Sequence, residues 1–446
     1  MQSVLDESPF RCVLSLKPLL NFWEKELAPS DPAWKLKLDS VKERLAKAPE
    51  LLEPLTDLSL LEEHRDAVGV LMSAVFPPAC WDTELVGALV PFTLRPAFVS
   101  EAFRHHLLND DGSLRGRLHV EWDAFTRARL LRFYLLILRR CYGFTQDLDF
   151  PLIQIVPDRD TGLESYFRFR PDLRFVDIHV VGKLRELSEA DKSRITEHLA
   201  EPEVMQQYLP PENFELHGFT VIHGIDVTQS EVLAALQGDL IDKGSIFSRE
   251  GFERLEHRMR LLFRRPNLVA GVAAVQGDQA LILNTGCRLN QDCICICSDS
   301  EHIPLTELKR SIFDRAVKEK RVFRVKDLTE LTATSPIEER IVESGIRSFL
   351  VVPLYYQDEL LGTLDLGSPI PGDLGPMDVF LAEHLRPLFS LALKKALDGF
   401  NNQIHGVIKE KCTAVHPSVE WRFRGAAFRH LERVGKGQIS ELEPIV

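Results

Sequence analysis

The chain has 446 residues, is 45% hydrophobic and 27% charged, and carries a formal net charge of -12. That composition excludes a disordered or fibrous protein and leaves room for two or three domains, while the acidic balance argues against a protein that coats nucleic acid. No run of 18 apolar residues appears, and the start MQSVLDESPF lacks a basic segment followed by an apolar core, so a cytoplasmic location with no membrane partner and no direct nucleic-acid contact is expected.

Residues 1–142 read as a helical N-terminal region. Asp31-Pro32 caps and opens an amphipathic run to about residue 47, because proline suits the first helical turn. Leu58, Leu61, His64 and Val68 keep helical spacing in the next run, which Pro77-Pro78 ends. Residues 122–141 are apolar nearly all round, with Leu130, Leu131, Phe133, Tyr134, Leu135, Leu136, Ile137 and Leu138. This fits a central buried helix, too short and too rich in arginine to cross a bilayer. His105-His106 beside Arg104 is expected at the surface.

Residues 143–242 form a mixed α/β middle domain. Strands are expected over 150–156, 164–169 and 174–181, and a helix over 188–200 with Ser188 and Asp191 in capping-box spacing. Phe167-Arg168-Phe169-Arg170 alternates ring and base, the pattern of a half-buried edge strand, or of a sheet face gripping an acidic ligand. Residues 214–227 read as a strand or bent strand pair, where His217 and His223 are candidates for lining a cavity and commoner as structural residues. The stretch closes in Gly224-Ile225-Asp226-Val227-Thr228, with Thr228 and Glu231 spaced to cap the following helix. A strand ending in Asp-Val-Thr before a helix resembles the exit of PAS sensor domains, so the middle domain is read as PAS-like.

From residue 243 the pattern is fuller. A basic amphipathic helix over 249–264 precedes a hairpin, 269–275 and 280–283, around Gln276-Gly277-Asp278; further strands are expected at 293–297 and 322–325 and helices at 305–319 and 337–342. Residues 349–355 and 360–366 are two apolar strand-length runs around the polar Tyr356-Gln357-Asp358-Glu359, followed by a Pro/Gly loop and a helix opening at Pro376-Met377-Asp378. Val352-Pro353-Leu354, Leu361-Gly362-Thr363-Leu364-Asp365-Leu366 and Met377-Asp378-Val379-Phe380-Leu381-Ala382, in this order, resemble the C-terminal half of a GAF domain. The resemblance implies a six-stranded antiparallel sheet, helices on its back and a small-molecule pocket on its front, over residues 243–400; it implies no reaction.

Of the eight cysteines, Cys287, Cys293, Cys295 and Cys297 crowd together. On a strand, Cys293, Cys295 and Cys297 project to one face. The expected role is a core or pocket wall, since buried cysteine behaves as a small hydrophobe. Three or four thiolates at this spacing suit a metal or iron–sulfur site poorly, but Cys287, Cys293, Cys295 and Cys297 remain the alternative, a redox or metal sensor. A GAF-type methionine sulfoxide reductase is the enzyme alternative, and would need a thiolate activated beside positive charge. The signatures of cyclic-nucleotide-binding and tetrapyrrole-attaching GAF domains are not found, and no catalytic motif such as Gly-x-Ser-x-Gly, a phosphate loop or His-Glu-x-x-His appears. No enzyme activity and no particular cofactor is assigned.

Residues 401–446 read as a helical linker. Leu393, Leu397, Phe400, Ile404 and Val407 follow steps of four and three, a short heptad seam suited to a homodimer through helix 377–411. Ser418 caps a last basic helix, and the apolar end Pro444-Ile445-Val446 suggests an output domain further on. The chain is thus expected to be an α+β multidomain, bacterial-type regulatory protein. An unidentified small molecule would fill the GAF pocket, lined by Cys293, Cys295, Cys297, Phe323, Val325, Asp327, Phe349 and Val351 and covered by residues 328–345. Its occupancy would bias the exit helix toward a partner or downstream domain.

Overall fold

The computed structural model describes residues 8–146, 152–241, 249–277, 279–285, 302–331 and 335–411. It divides into two units, Met1–Thr228 and Gln229–Val446. The strand expected at 293–297 and the basic helix after Ser418 lie outside the described residues.

The first unit departs from the helical expectation. Helices α1 (Pro32–Leu45), α2 (Arg65–Met72), α3 (Glu101–Leu107) and α4 (Trp122–Tyr142) are present, with Asp31 capping α1. Strand β1 (Arg11–Leu14) precedes them, and β2 (Leu85–Leu89), β3 (Pro96–Val99) and β4 (Arg117–Leu118) run between them. These join strands from beyond residue 142: β5 (Leu152–Pro157), β6 (Glu164–Asp172), β7 (Val176–Val180), β8 (Phe214–Gly218) and β9 (Thr220–Asp226). One sheet runs β3-β2-β9-β6-β5-β4 and a smaller one β1-β8-β7, so both are built from either side of residue 142. β6 lies between β9 and β5, not at an edge; Phe167 and Phe169 are buried and Arg170 is exposed. α4 is the buried helix its composition requires, packing Phe133, Tyr134 and Ile137 into a cluster with Val176 and Leu216. α5 (Glu189–Glu197) opens with the Ser188–Asp191 capping box.

At the end of β9, Asp226 Oδ1 accepts from the Thr228 amide at 2.8 Å, and Thr228 Oγ1 accepts from the Tyr166 amide at 2.8 Å. The helix that follows, α6 (Thr228–Ile241), begins at Thr228 itself.

In the second unit, α7 (Arg249–Phe263) is followed by β10 (Val269–Gln276), β11 (Gln279–Thr285), β12 (His302–Pro304), α8 (Ile312–Glu319), β13 (Phe323–Val325), α9 (Pro336–Glu343), β14 (Ser348–Tyr356), β15 (Glu359–Ser368) and α10 (Pro376–Lys411). The strands form one antiparallel sheet, β12-β11-β10-β15-β14-β13. The β14–β15 hairpin turns on Gln357 and Asp358, both with positive φ, the turn whose twist matches the flanking strands. Gly362 sits where β15 crosses β10, at φ +158°, and a Cβ there would lie 1.9 Å from the Ala273 carbonyl oxygen. Only glycine permits that approach.

Alternation along each strand separates two layers. Ala270, Val272, Ala274, Leu350, Val352, Leu354, Leu364 and Leu366 are all buried. On this side α7 packs on β10, and α10 on β14 and β15. The opposite parity faces α8 and α9, which share a cluster with Phe349 and Val351.

Candidate functional site

Between the second layer and the sheet lies a cavity of about 340 Å³. Its floor is made of small residues at consecutive outward positions, Gly271 and Ala273 on β10 with Thr363, Asp365 and Gly367 on β15. Its roof is Phe313 and Val317 of α8 and Ile337 and Ile341 of α9. The helices are held up at their ends. Buried Glu338 accepts from the Ile312 amide at 2.7 Å and from the Ser335 amide at 2.6 Å, joining the N-termini of α8 and α9. Its carboxylate there suits the positive end of each helix. Tyr355 donates to the Val317 carbonyl at 2.8 Å.

Asp365 stands at the centre of the floor, opposite Gly271 on β10 and Val351 on β14. Thr363 Oγ1 donates to Asp365 Oδ2 at 3.2 Å. Asp365 Oδ1 is buried and has no hydrogen-bond partner among the described residues. Burial pushes this carboxyl up to about 7, with the Thr363 hydroxyl acting in the other direction. A buried carboxyl left half-paired is costly, and such groups concentrate at functional sites. Two further charged residues line the cavity, Lys309 and Asp314. Asp314 is held ionised, well below the usual range, by Lys318 Nζ at 2.7 Å and by the Arg310 amide.

The residues expected from sequence are distributed unevenly around this site. Phe349 lines the cavity. Phe323, Val325 and Val351 pair across β13 and β14 and belong to the apolar cluster beside it, without reaching the lining. Asp327 is a clasp: Arg347 donates to its Oδ1 at 2.9 Å and its Oδ2 at 2.7 Å, which holds the carboxyl far below its ordinary value, and Arg347 also donates to Thr329 Oγ1. Cys287, Cys293, Cys295 and Cys297 lie outside the described residues. The expected cover, 328–345, contributes α9, but half of the roof is α8. His217 bonds to Glu215 at 3.0 Å and His223 lies against Phe76. Asp365 and Thr363 enter the sequence pattern only as part of the strand motif 361–366, where the signal for a site is one acidic residue inside an otherwise apolar run.

Of the expected seam, Leu397 is half-buried and the side chains of Phe400, Ile404 and Val407 lie outside the described residues. Leu393 is fully buried against its own unit, because α10 turns that side to the sheet. The exposed side carries Met377, Phe380, His384, Pro387 and Leu391, in steps of three and four. Met377 is 75%, Phe380 60% and Leu391 57% exposed, and Ile241 is 66% exposed. Lys395 Nζ donates to the Ile241 carbonyl at 2.7 Å.

Residues 241–393 match the family model for the GAF domain. The chain carries a GAF domain over this stretch, within a multidomain α+β protein. Among solved structures it is similar to the phycoerythrobilin-bound GAF domain from a cyanobacterial phytochrome, at 13% identity over 40% of this chain and 100% of that one, with a TM-score of 0.32. It is also similar to the free methionine-R-sulfoxide reductase from Neisseria meningitidis in complex with its substrate, at 16% identity over 38% and 91%, TM-score 0.29. A third is the GAF domain of a two-component sensor histidine kinase from Bacillus halodurans, at 14% identity over 37% and 97%, TM-score 0.27. No curated protein matches the chain. No helix among the described residues is long and apolar enough to cross a membrane, and none of their His, Cys, Asp and Glu side chains form a group of three that could hold a metal.

Proposed function

We propose that the GAF domain is a small-molecule sensor whose ligand occupies the cavity between β10, β15 and the α8–α9 roof. The observation that carries this reading is the cavity itself, apolar on most sides with a single half-paired carboxyl on its floor. Sites of this kind are concave, mostly apolar and furnished with a few placed polar groups. Occupancy acts on β15, whose end is tied to the exit helix. Ser368 Oγ donates to Asp373 Oδ2 at 2.6 Å, and Arg265 bonds to Asp373 Oδ1 at 2.7 Å and lies 3.6 Å from Asp378 at the start of α10. Binding thereby biases the orientation of α10, with the relay running to a second copy of the chain or to an output partner.

The apolar seam on α10 favours the second copy: spacing of 3.5 residues keeps a narrow stripe in register with another helix. The redox-sensing and reductase alternatives rest on Cys287, Cys293, Cys295 and Cys297, which lie outside the described residues. Cys12, Cys80 and Cys141 all lie in the first unit, with thiols pushed above their ordinary values, Cys12 to about 11 by burial, the reverse of an activated thiolate.

Native mass spectrometry tests the sensor reading. A small molecule retained by the native chain and lost when Ala273→Phe fills the floor supports it; equal retention by both overturns it.

A further inference from the structure

We propose that the GAF cavity takes a protonated amine on an apolar body, the ammonium group donating to Asp365. The inference rests on the sensor reading above and names the ligand class for that same cavity.

The two carboxylate oxygens of Asp365 are not equally engaged. Oδ2 is engaged by Thr363, whereas Oδ1 is buried with no partner among the described residues. An arriving molecule that fails to donate there leaves the acceptor stranded, which disfavours it. The choice between a neutral donor and a cation turns on charge. Among the described residues, the charged groups facing the cavity from the roof side are Lys309 and Asp314, and Asp314 is already neutralised by Lys318. Lys309 is exposed to solvent, and the structure shows no ion pair between it and Asp365. The strands flanking Asp365 bring Gly271 and Val351 opposite it, neither of them charged. The floor therefore presents an acid that, among the described residues, has no ion-pair partner, and an ammonium group supplies both a donor and a compensating charge. A carboxylate or phosphate ligand meets repulsion at the same point. The rest of the lining, including Phe313, Ile337 and Ile341, accommodates a hydrocarbon body.

The proton balance sharpens this. Because burial sets the empty Asp365 carboxyl near 7, capture of an ammonium ion ionises it and releases a proton. An alkylamine stays charged across the neutral range. Its affinity then rises with pH through about 7 and levels above, by about ten-fold between pH 6 and pH 8 for one released proton.

The test is calorimetry and thermal-shift titration of the full chain with hexylamine, hexan-1-ol and hexanoate at pH 6 and pH 8. Hexylamine is expected to bind best, about ten-fold tighter at pH 8, with a proton release that shows as a dependence of the heat on buffer ionisation. Asp365→Asn is expected to remove the amine preference and its pH dependence while leaving hexanol binding in place. Hexanol or hexanoate binding as tightly as hexylamine, or an amine affinity that does not change with pH, overturns the amine class and leaves the pocket reading standing. Failure of all three probes overturns both. The wild-type pH series decides the matter even where the asparagine variant does not fold.

Discussion

The two faces of the GAF sheet are made by the same strands and have opposite fates. On one, Leu364 and Leu366 of β15 join Val272 and Val352 under α7 and α10, and every one of these side chains is buried. On the other, the intervening positions of β15 are Thr363, Asp365 and Gly367, and β10 offers Gly271 and Ala273. The roof helices bridge these small residues without filling the space above them. The difference is therefore one of side-chain volume on alternate positions: a large-residue face closes onto helices and stabilises, and a small-residue face leaves a void beneath the roof helices.

The largest effect expected from that contrast is on stability. Phe389 of α10 is fully buried, and Phe389→Ala is expected to cost about 3–5 kcal/mol. Phe313, half-buried beside the cavity, already borders empty space, so Phe313→Ala is expected to cost about half as much or less. Urea unfolding of the two variants measures this, and equal losses would mean that the faces are packed alike.

The second effect has a sign set by Asp365. Its folded pKa, about 7, lies above the ordinary carboxylate value, so between pH 4 and pH 7 the folded state holds a proton that the unfolded state has released. Stability contributed at this position is present at low pH and falls as pH rises through 7. Asp365→Asn removes the ionisable group, and is expected to make the empty protein more stable than wild type at pH 8 by up to about 4 kcal/mol, with no gain at pH 4. A variant equally stabilised at both pH values, or destabilised at pH 8, would show that the carboxyl is not held in an apolar setting.

How much of this was legible in the sequence follows from the same contrast. The strands and helices of the GAF domain announce themselves because 349–355 and 360–366 are apolar and strand-length, with turn residues between. The first unit hid its strands. β4 has only two residues, and β1 pairs in parallel with β8, about two hundred residues away; no local period encodes such a partnership. β2, the run Leu85-Val86-Gly87-Ala88-Leu89, reads as well for a helix as for a strand until its neighbours β3 and β9 are known. Sequence pattern indicates a hollow on the sheet's open face but does not single out Asp365. That Asp365 faces an enclosed space depends on α8 and α9 roofing the sheet from a different part of the chain, which alternation along β15 alone does not reveal. Phe323, Val325 and Val351 belong to the apolar cluster beside the cavity and lie outside its lining.

A third, smaller effect concerns the edge of the roof. Asp327 owes its low pKa to Arg347, so its contribution is present above the ordinary carboxylate range and is lost as pH falls below it. Arg347→Ala is expected to flatten the acid limb of the stability curve below about pH 4 and to leave the slope between pH 4 and pH 7, which belongs to Asp365, unchanged. Loss of that slope in the arginine variant would tie the two carboxyls together and undo their separate assignment.

The smallest effect on folding should be the largest on assembly. Phe380 lies on the outer side of α10, 60% exposed, with its ring 4.1 Å from that of His384, and contributes little to the sheet that α10 covers on its other side. Phe380→Ser is expected to change unfolding stability by no more than about 0.5 kcal/mol, since it opens no cavity. If the stripe from Met377 to Leu391 is the seam with a second copy, the same substitution shifts light-scattering mass toward the monomer, whereas Leu393→Ser, on the buried side, unfolds the unit before it affects pairing. A chain whose mass is unchanged by Phe380→Ser and concentration-independent would remove α10 as the dimer face, and with it the route by which a filled cavity reaches another subunit.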